Sequence, residues 1–316
     1  MMNGSLADNS AIIEYLRGAV VADSSFLLDD FQLGKLGFPA PSLVDRFKQR
    51  SRDWSKHAAA GTRLAMIKNA FGSKLSTRSW LAKRGVRLPE LYWEGTSIPP
   101  SVMRKLPPLF VLKPSNSHSC KGVILFDGGL NLLTREPVSL AKLPDIVARL
   151  QDLHRLPPQT HWIIEELIAD ADDRCPVPRD FKVFCAGGHA FLNFVIDRNA
   201  PYAMWTNSWN TRDWRRIEDR MNVFLEYGPT HARPGQLETL LETSDALARE
   251  LGVFVRIDWY VSAQGPVFGE FSPFPTWGRG YTALGERALS QMWDLFPDAS
   301  LNDACLPAVN TSSEGA

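Results

Sequence analysis

Asp258 and Glu270 lie in the stretch VRIDWYVSAQGPVFGEFS, residues 255–272, each among large apolar residues. Strands of this composition bury, and a buried carboxylate is costly unless a cation or hydrogen bonds satisfy it. Val253, Val255, Ile257, Trp259 and Val261 share one parity. Arg256 and Asp258 share the other, so they project from one face of the strand. SAQG predicts a reversal in which Gly265 supplies a positive φ. A hairpin centred on Gln264 puts Asp258 opposite Glu270 and Arg256 opposite Ser272. Directly paired residues have Cβ atoms roughly 4.5–5.5 Å apart, so two carboxylates there repel unless a cation sits between them. Mg²⁺ takes one or two such carboxylates together with substrate phosphates. The alternative is that Arg256 simply neutralises Asp258, with Glu270 exposed at a strand end. These residues alone leave both readings open.

The elements around them mix strands and helices. AGTRLAMIKNAFGSKLSTRSWLAKRGV, residues 60–86, has a helical pattern with Gly72 as an interruption and Gly85 as a stop. RLPELYWEG reads as a short strand or turn, and prolines 99, 100, 107 and 108 mark a boundary. LFVLKPSNSHSCKGVILF, residues 109–126, predicts two strands around a polar loop. A helix follows in SLAKLPDIVARLQDLHRL, then a strand in HWIIEELIA. DFKVFCAGGHAFLNFVID predicts a hairpin turning at Gly187 and Gly188. Residues 199–216 read as a polar loop carrying tryptophans. GQLETLLETSDALARELG predicts an amphipathic helix closed by Gly252, and a last helix spans 284–295. The fold class expected is α+β, or mixed α/β layers.

Bulk properties narrow the function classes. The chain has 316 residues, 44% hydrophobic and 22% charged, the composition of a globular protein of two or three domains. Lys plus Arg and Asp plus Glu are equal at 35 each. That balance gives no support for a nucleic-acid surface. Four scattered cysteines without CxxC spacing read as reduced thiols. No apolar run approaches the roughly 18 residues that span a bilayer. A cytoplasmic protein without nucleic-acid or membrane partners is expected.

FVLKPS, WIIEELI, PRDFKVF, VRIDWY and FGEFS follow one another as in the ATP-grasp superfamily. With SKLSTRSWLAKRG before them and FSPFPTWG after, the chain resembles the TupA-like (teichuronopeptide biosynthesis) ATP-grasp proteins over roughly residues 70–295. The resemblance implies ATP held between a small lid subdomain and a larger C-terminal α+β subdomain. The corresponding division is a mainly helical region at 1–100, a lid at 101–167, a catalytic subdomain at 168–300 and a disordered tail at 301–316.

It also implies roles, residue by residue. Lys113 matches the phosphate-binding lysine, and the loop carrying Ser115, Ser117 and Lys121 lies over the phosphates. That loop is mainly serine where many ATP-grasp proteins have glycines. Glu165, Glu166, Leu167 and Ile168 fall at the adenine hinge, and Asp180 matches the acid that takes the ribose hydroxyls. Lys182, on the same face as Asp180, points to phosphate or the acceptor carboxylate; without the family, the two read as a surface pair. Asp258 and Glu270 match the Mg²⁺ ligands and Arg256 the transition-state cation. Ser272 stands where many members carry Asn, and a hydroxyl is the weaker ligand. Trp205, Asn207, Trp209, Arg212 and Arg279 are candidates for the substrate side.

The chemistry implied is ligation of a small-molecule carboxylate to an amine through an acyl phosphate, with ATP and Mg²⁺ as cofactors. A homodimer is compatible with it. Such catalysis rests on positioning and charge neutralisation, which agrees with the lack of a Ser-His-Asp or Cys-His arrangement. The alternatives are a phosphotransferase and a nucleotide-binding regulatory module without turnover.

Overall fold

The computed structural model describes residues 41–116, 120–201 and 204–304. Three helices open it: α1 (Leu43–Trp54), α2 (Arg63–Ala70) and α3 (Lys74–Ala82). Ser42 caps α1 by accepting from the Asp45 amide, and Ser73 with Ser76 forms a capping box on α3. Gly72 separates α2 from α3; a Cβ there would lie 2.6 Å from the Lys68 carbonyl oxygen.

A six-stranded antiparallel sheet follows. It contains β1 (Leu91–Gly95), β2 (Leu109–Pro114), β3 (Ile124–Asp127), β4 (Leu130–Asn131), β5 (Glu136–Pro137) and β6 (Trp162–Glu165), in the order β1-β6-β2-β3-β4-β5. The short helix α4 (Pro100–Met103) and the longer α5 (Leu143–His154) interrupt it. Phe110, Leu112, Trp162 and Ile164 alternate onto the face that packs on Leu143 and Val147 of α5. Val111, Lys113, Ile163 and Glu165 take the opposite face by strand periodicity. The helical region expected at 1–100 therefore differs at its end, because β1 pairs with β6. Its first 40 residues lie outside the described ones.

The second sheet holds β7 (Asp180–Ala186), β8 (His189–Asp197), β9 (Thr206–Thr211), β10 (Arg216–Ile217), β12 (Val255–Ser262) and β13 (Gly265–Ser272), in the order β10-β9-β8-β7-β12-β13. A further strand, β11 (Glu226–Tyr227), pairs with β9 in parallel. Gly187 and Gly188 turn β7 into β8 with φ 56 and 81, as two-residue hairpins require. Helices cover this sheet on both faces. Phe181, Val183, Val255, Ile257 and Trp259 pack with α2, α3 and α6 (Leu237–Leu251). Phe184, Ala186, Phe194 and Trp209 pack with α1 and α7 (Ala283–Leu295).

Two expectations fail here. Residues 199–216 are not all loop, since β9 lies within them and is buried despite its sequence TNSWNT. Asn207 is satisfied there, donating to the carbonyls of Leu225 and Glu226 at 3.0 and 2.9 Å. The tail expected to be disordered from 301 is ordered as far as Ala304, which bridges Thr62, and Leu301 packs on the core. Residues 305–316 lie outside the described ones. Among the described residues no helix is long and apolar enough to cross a membrane.

Candidate active site

Between the two sheets lies a cleft of about 1960 Å³. The hairpin β12–β13 brings its acids there in the expected register, Asp258 opposite Glu270 and Arg256 opposite Ser272. The turn is not centred on Gln264, however. Ser262 pairs with Gly265, a two-residue turn that in a regular ladder sets Gly269 opposite Asp258 and turns Glu270 to the core face. A β-bulge between Asp258 and Trp259 takes up Gly269 and returns Glu270 to the cleft face. A Cβ on Gly269 would lie 3.1 Å from the Asp258 carbonyl oxygen, which explains the small residue.

The cleft face of this sheet carries a chain of alternating charge. Arg198 Nη1 reaches Asp180 Oδ2 at 2.6 Å, and Lys182 Nζ lies 3.2 Å from that oxygen and 2.5 Å from Asp258 Oδ2. Arg256 grips Asp258 with two bonds of 2.7 Å and donates to Ser272 Oγ at 2.8 Å. Asp180, Lys182 and Asp258 are buried, so the pair Asp180–Lys182 does not lie at the surface. Burial pushes the Asp258 carboxyl up, but Arg256 and Lys182 outweigh it and hold the group below the usual range. Asp180 is held down likewise, by Arg198 and Lys182 against burial. Glu270 differs: it is half-exposed and 3.7 Å from Arg256 Nη2. The simpler sequence reading is thus met in its first part, because Arg256 does neutralise Asp258, whereas Glu270 is half-exposed and paired within β13 rather than exposed at a strand end.

The first sheet contributes less. Lys113 on β2 is ion-paired with Glu165 on β6, and Arg78 Nη1 lies 3.2 Å from the same carboxylate. Glu165, expected at the adenine hinge, therefore spends its oxygens on two cations. Glu166 and Glu90 exchange hydrogen bonds of 2.8 and 3.0 Å, joining the segment before β1 to the end of β6. Leu167, the buried Ile168, Ser115 and Lys121 line the cleft. Ser117 lies outside the described residues.

Sequence reasoning missed Lys74 and Arg78, which α3 points at the first sheet's charges. Lys74 lines the cleft and donates to the Ser115 carbonyl at 3.4 Å. Burial, then the neighbouring Lys113, lowers its pKa to about 8, against the pull of Glu270 and Glu165. The signal was present as SKLSTRSW, a capped amphipathic segment with two cations four residues apart. Arg198 was also missed, since nothing local marks a strand-end arginine as the partner of Asp180.

Three of the substrate-side residues are corrected. Asn207 is fully buried, its amide used by backbone carbonyls. Trp209 is fully buried between Phe184 and Phe194, with ring centroids at 5.2 and 4.6 Å. Arg212 binds Asp245 of α6 at 2.9 and 2.8 Å. Asn207 and Trp209 are buried because β9 is a strand and not a loop, and Arg212, just past its end, is held by α6. Trp205 and Arg279 do line the cleft. Arg279 follows a turn in which Thr276 (φ 49, ψ 18) and Trp277 (φ 53, ψ 32) are both left-handed, at a cost of roughly 1–2 kcal/mol per residue.

The donor set fits magnesium. Among the described residues no three acids or histidines converge as a preformed metal cluster. Two opposed carboxylates with a hydroxyl beside them suit a hard cation whose remaining ligands are phosphates and water. Asp258 Oδ1 accepts from Arg256 Nε alone and keeps acceptor capacity, whereas Oδ2 already takes both Arg256 and Lys182, and Glu270 is half-exposed.

Two sheets clasping one charged cleft constitute the α+β ATP-grasp fold. The sequence model of the TupA-like ATP-grasp family matches residues 100–287, and the chain belongs to that family. ATP with Mg²⁺ is the cofactor pair of ATP-grasp proteins, and their ligases form C–N bonds with release of ADP. Among solved structures the chain is similar to D-alanine–D-alanine ligase from Bacillus anthracis complexed with ATP. Identity is 14% over 70% of this chain and 64% of that one, with TM-score 0.45. D-alanine–D-alanine ligase from Helicobacter pylori matches at 14% identity over 73% and 62%, TM-score 0.43. L-amino acid ligase from Bacillus licheniformis matches at 15% over 67% and 41%, TM-score 0.40. The chain spans less than two thirds of the length of each of these structures. No curated protein matches the sequence.

Proposed function

We propose that the protein is an ATP- and Mg²⁺-dependent ligase joining a small-molecule carboxylate to an amine, in cell-surface polymer or specialised-metabolite biosynthesis. One observation carries this reading: Lys113 from one sheet and Lys182, Arg256, Asp258 and Glu270 from the other line a single cleft. A carboxylate oxygen of the acid attacks the γ-phosphorus, the bond to the bridging oxygen breaks, and ADP leaves. The neutral amine then attacks the acyl carbon, the carbon–oxygen bond to phosphate breaks, and the nitrogen loses its proton to water.

Each residue's part follows from its charge and place. Lys113, with Lys74 beside it, neutralises phosphate oxygens. Leu167 and Ile168 give the base an apolar wall, and Asp180 faces the ribose. Asp258 and Glu270 would hold the metal with Ser272 nearby, and a bound Mg²⁺ would supply positive charge to the phosphate oxygens. Arg256 and Lys182, fixed by Asp258, present preorganised cations to the oxygens where charge develops. No side chain has to form a covalent bond.

The test is amine-dependent release of phosphate together with trapping of the acyl phosphate by hydroxylamine. A phosphorylated product stable to hydroxylamine would convert the reading to a kinase. Failure of MgATP to raise the melting temperature would remove the nucleotide site itself.

A further inference from the structure

The turn after β13 combines two costly features that folding alone does not require. Thr276, Trp277 and Gly278 are left-handed in succession, the first two without the freedom of glycine. Left-handed conformation at a β-branched or bulky residue is an outlier that persists only where the surroundings enforce it. They do so here. A Cβ on Gly278 would lie 2.7 Å from the Val44 amide, so the turn is seated against the start of α1. Arg50, held by Asp298 at 2.9 and 2.7 Å, donates to the Pro273 carbonyl at 2.7 Å and fixes the approach to the turn.

What this conformation delivers is an exposed indole. Trp277 is 51% exposed and lines the cleft, whereas Pro275 and Gly278 on either side are buried. Phe274 stacks behind it, ring centroids 4.8 Å apart and planes at 15°. Phe224, 40% exposed, extends the same wall beside Gly280. The wall adjoins the reacting end of the cleft. It begins just after Ser272, which Arg256 binds, and the Tyr281 hydroxyl bonds Thr276 within electrostatic reach of Arg256 and Asp258.

We propose that Trp277 is the specificity-determining residue for the acid substrate, selecting a carboxylic acid that carries an aryl group next to its reacting carboxylate. This rests on the ligase reading above. Aryl is favoured over a sugar acid by the polar inventory of the wall. A sugar ring stacked on tryptophan needs partners for its hydroxyls. The Thr276 hydroxyl turns its one proton to the backbone, with the carbonyls of Arg279 and Pro275 at 2.6 and 2.8 Å, and the other rings of the wall are Phe274 and Phe224. Stacked aromatic pairs need no such partners.

The experiment uses the full chain with MgATP and hydroxylamine as the amine. Phenylacetate, 3-phenylpropionate and indole-3-acetate are compared with acetate, succinate and glucuronate, reading hydroxamate and ADP. The aryl acids are expected to show KM values at least tenfold lower than the others. Trp277→Ala should raise the aryl-acid KM about tenfold or more with the ATP KM within twofold, and Trp277→Phe should recover most of the loss. The proposal is overturned if Trp277→Ala leaves the acid KM unchanged, or if glucuronate or an aliphatic acid serves as well. It is equally overturned if no aryl acid reacts although MgADP raises the melting temperature. If MgADP does not stabilise the wild-type protein, the ligase reading beneath it fails instead.

Discussion

The two sheets face the same cleft but are built differently. The second is covered by helices on both faces, and its cleft-side charges form a chain from Arg198 to Arg256 whose middle members Asp180, Lys182 and Asp258 are buried. The first is covered by α5 on one face and offers the cleft one cluster, Lys113–Glu165–Arg78. A site that works by preorganised charge has to hold that charge still, on elements that do not rearrange. Under the proposed function, positioning of the reacting groups would fall to the second sheet and enclosure of the nucleotide to the first.

The sharpest way to break that assignment is Glu270→Gln. The side chain is half-exposed, so the fold should survive, whereas loss of one metal carboxylate should lower turnover on the order of 10²–10³-fold. ADP release within tenfold of wild type would take Glu270 out of the site. Next comes Lys113→Met, which should raise the ATP KM by about tenfold, the scale of 1.4 kcal/mol, and leave kcat less affected. An unchanged ATP KM would shift phosphate binding to the second sheet alone. Arg212→Ala should reduce stability by roughly 1.5–3 kcal/mol, because a charged hydrogen-bonded pair to α6 is lost, without changing either substrate's KM. A raised acid KM at unchanged stability would return Arg212 to the substrate side. The smallest effect is in hydrogen exchange. Amides of β7 and β12 should exchange more slowly than those of β3 and β4, since local opening is easiest where fewer apolar contacts must break.

Much of this was legible in the sequence where one local pattern decides the outcome. Alternation in VRIDWYV assigned Arg256 and Asp258 to one face, and the Gly187–Gly188 turn fixed the β7–β8 hairpin. The pairing of Asp258 with Glu270 was reached through the wrong turn, because a two-residue turn plus a bulge gives the same register as a longer loop. Where burial depends on distant partners, sequence reading failed. TNSWNT looks like a polar loop until Asn207 is seen to bond the carbonyls beside β11 and Trp209 to stack between two phenylalanines. Arg198 and Lys74 acquire their significance only from Asp180 and Lys113, which the chain brings near them from other elements.

Arg50 and its partner Asp298 have a practical consequence. Both lie outside residues 100–287, the stretch by which kinship is recognised, and so do Lys74, Arg78 and the Thr62–Ala304 bridge. The heritable signature of this protein and the unit that folds are different lengths of chain. A gene trimmed to the signature would encode the second sheet and nearly all of the first, but strip α2 and α3 from one face and α1 with most of α7 from the other, and release the turn that carries Trp277. Experiments that start from family boundaries would then measure the damage, and an inactive fragment would say nothing about the whole chain.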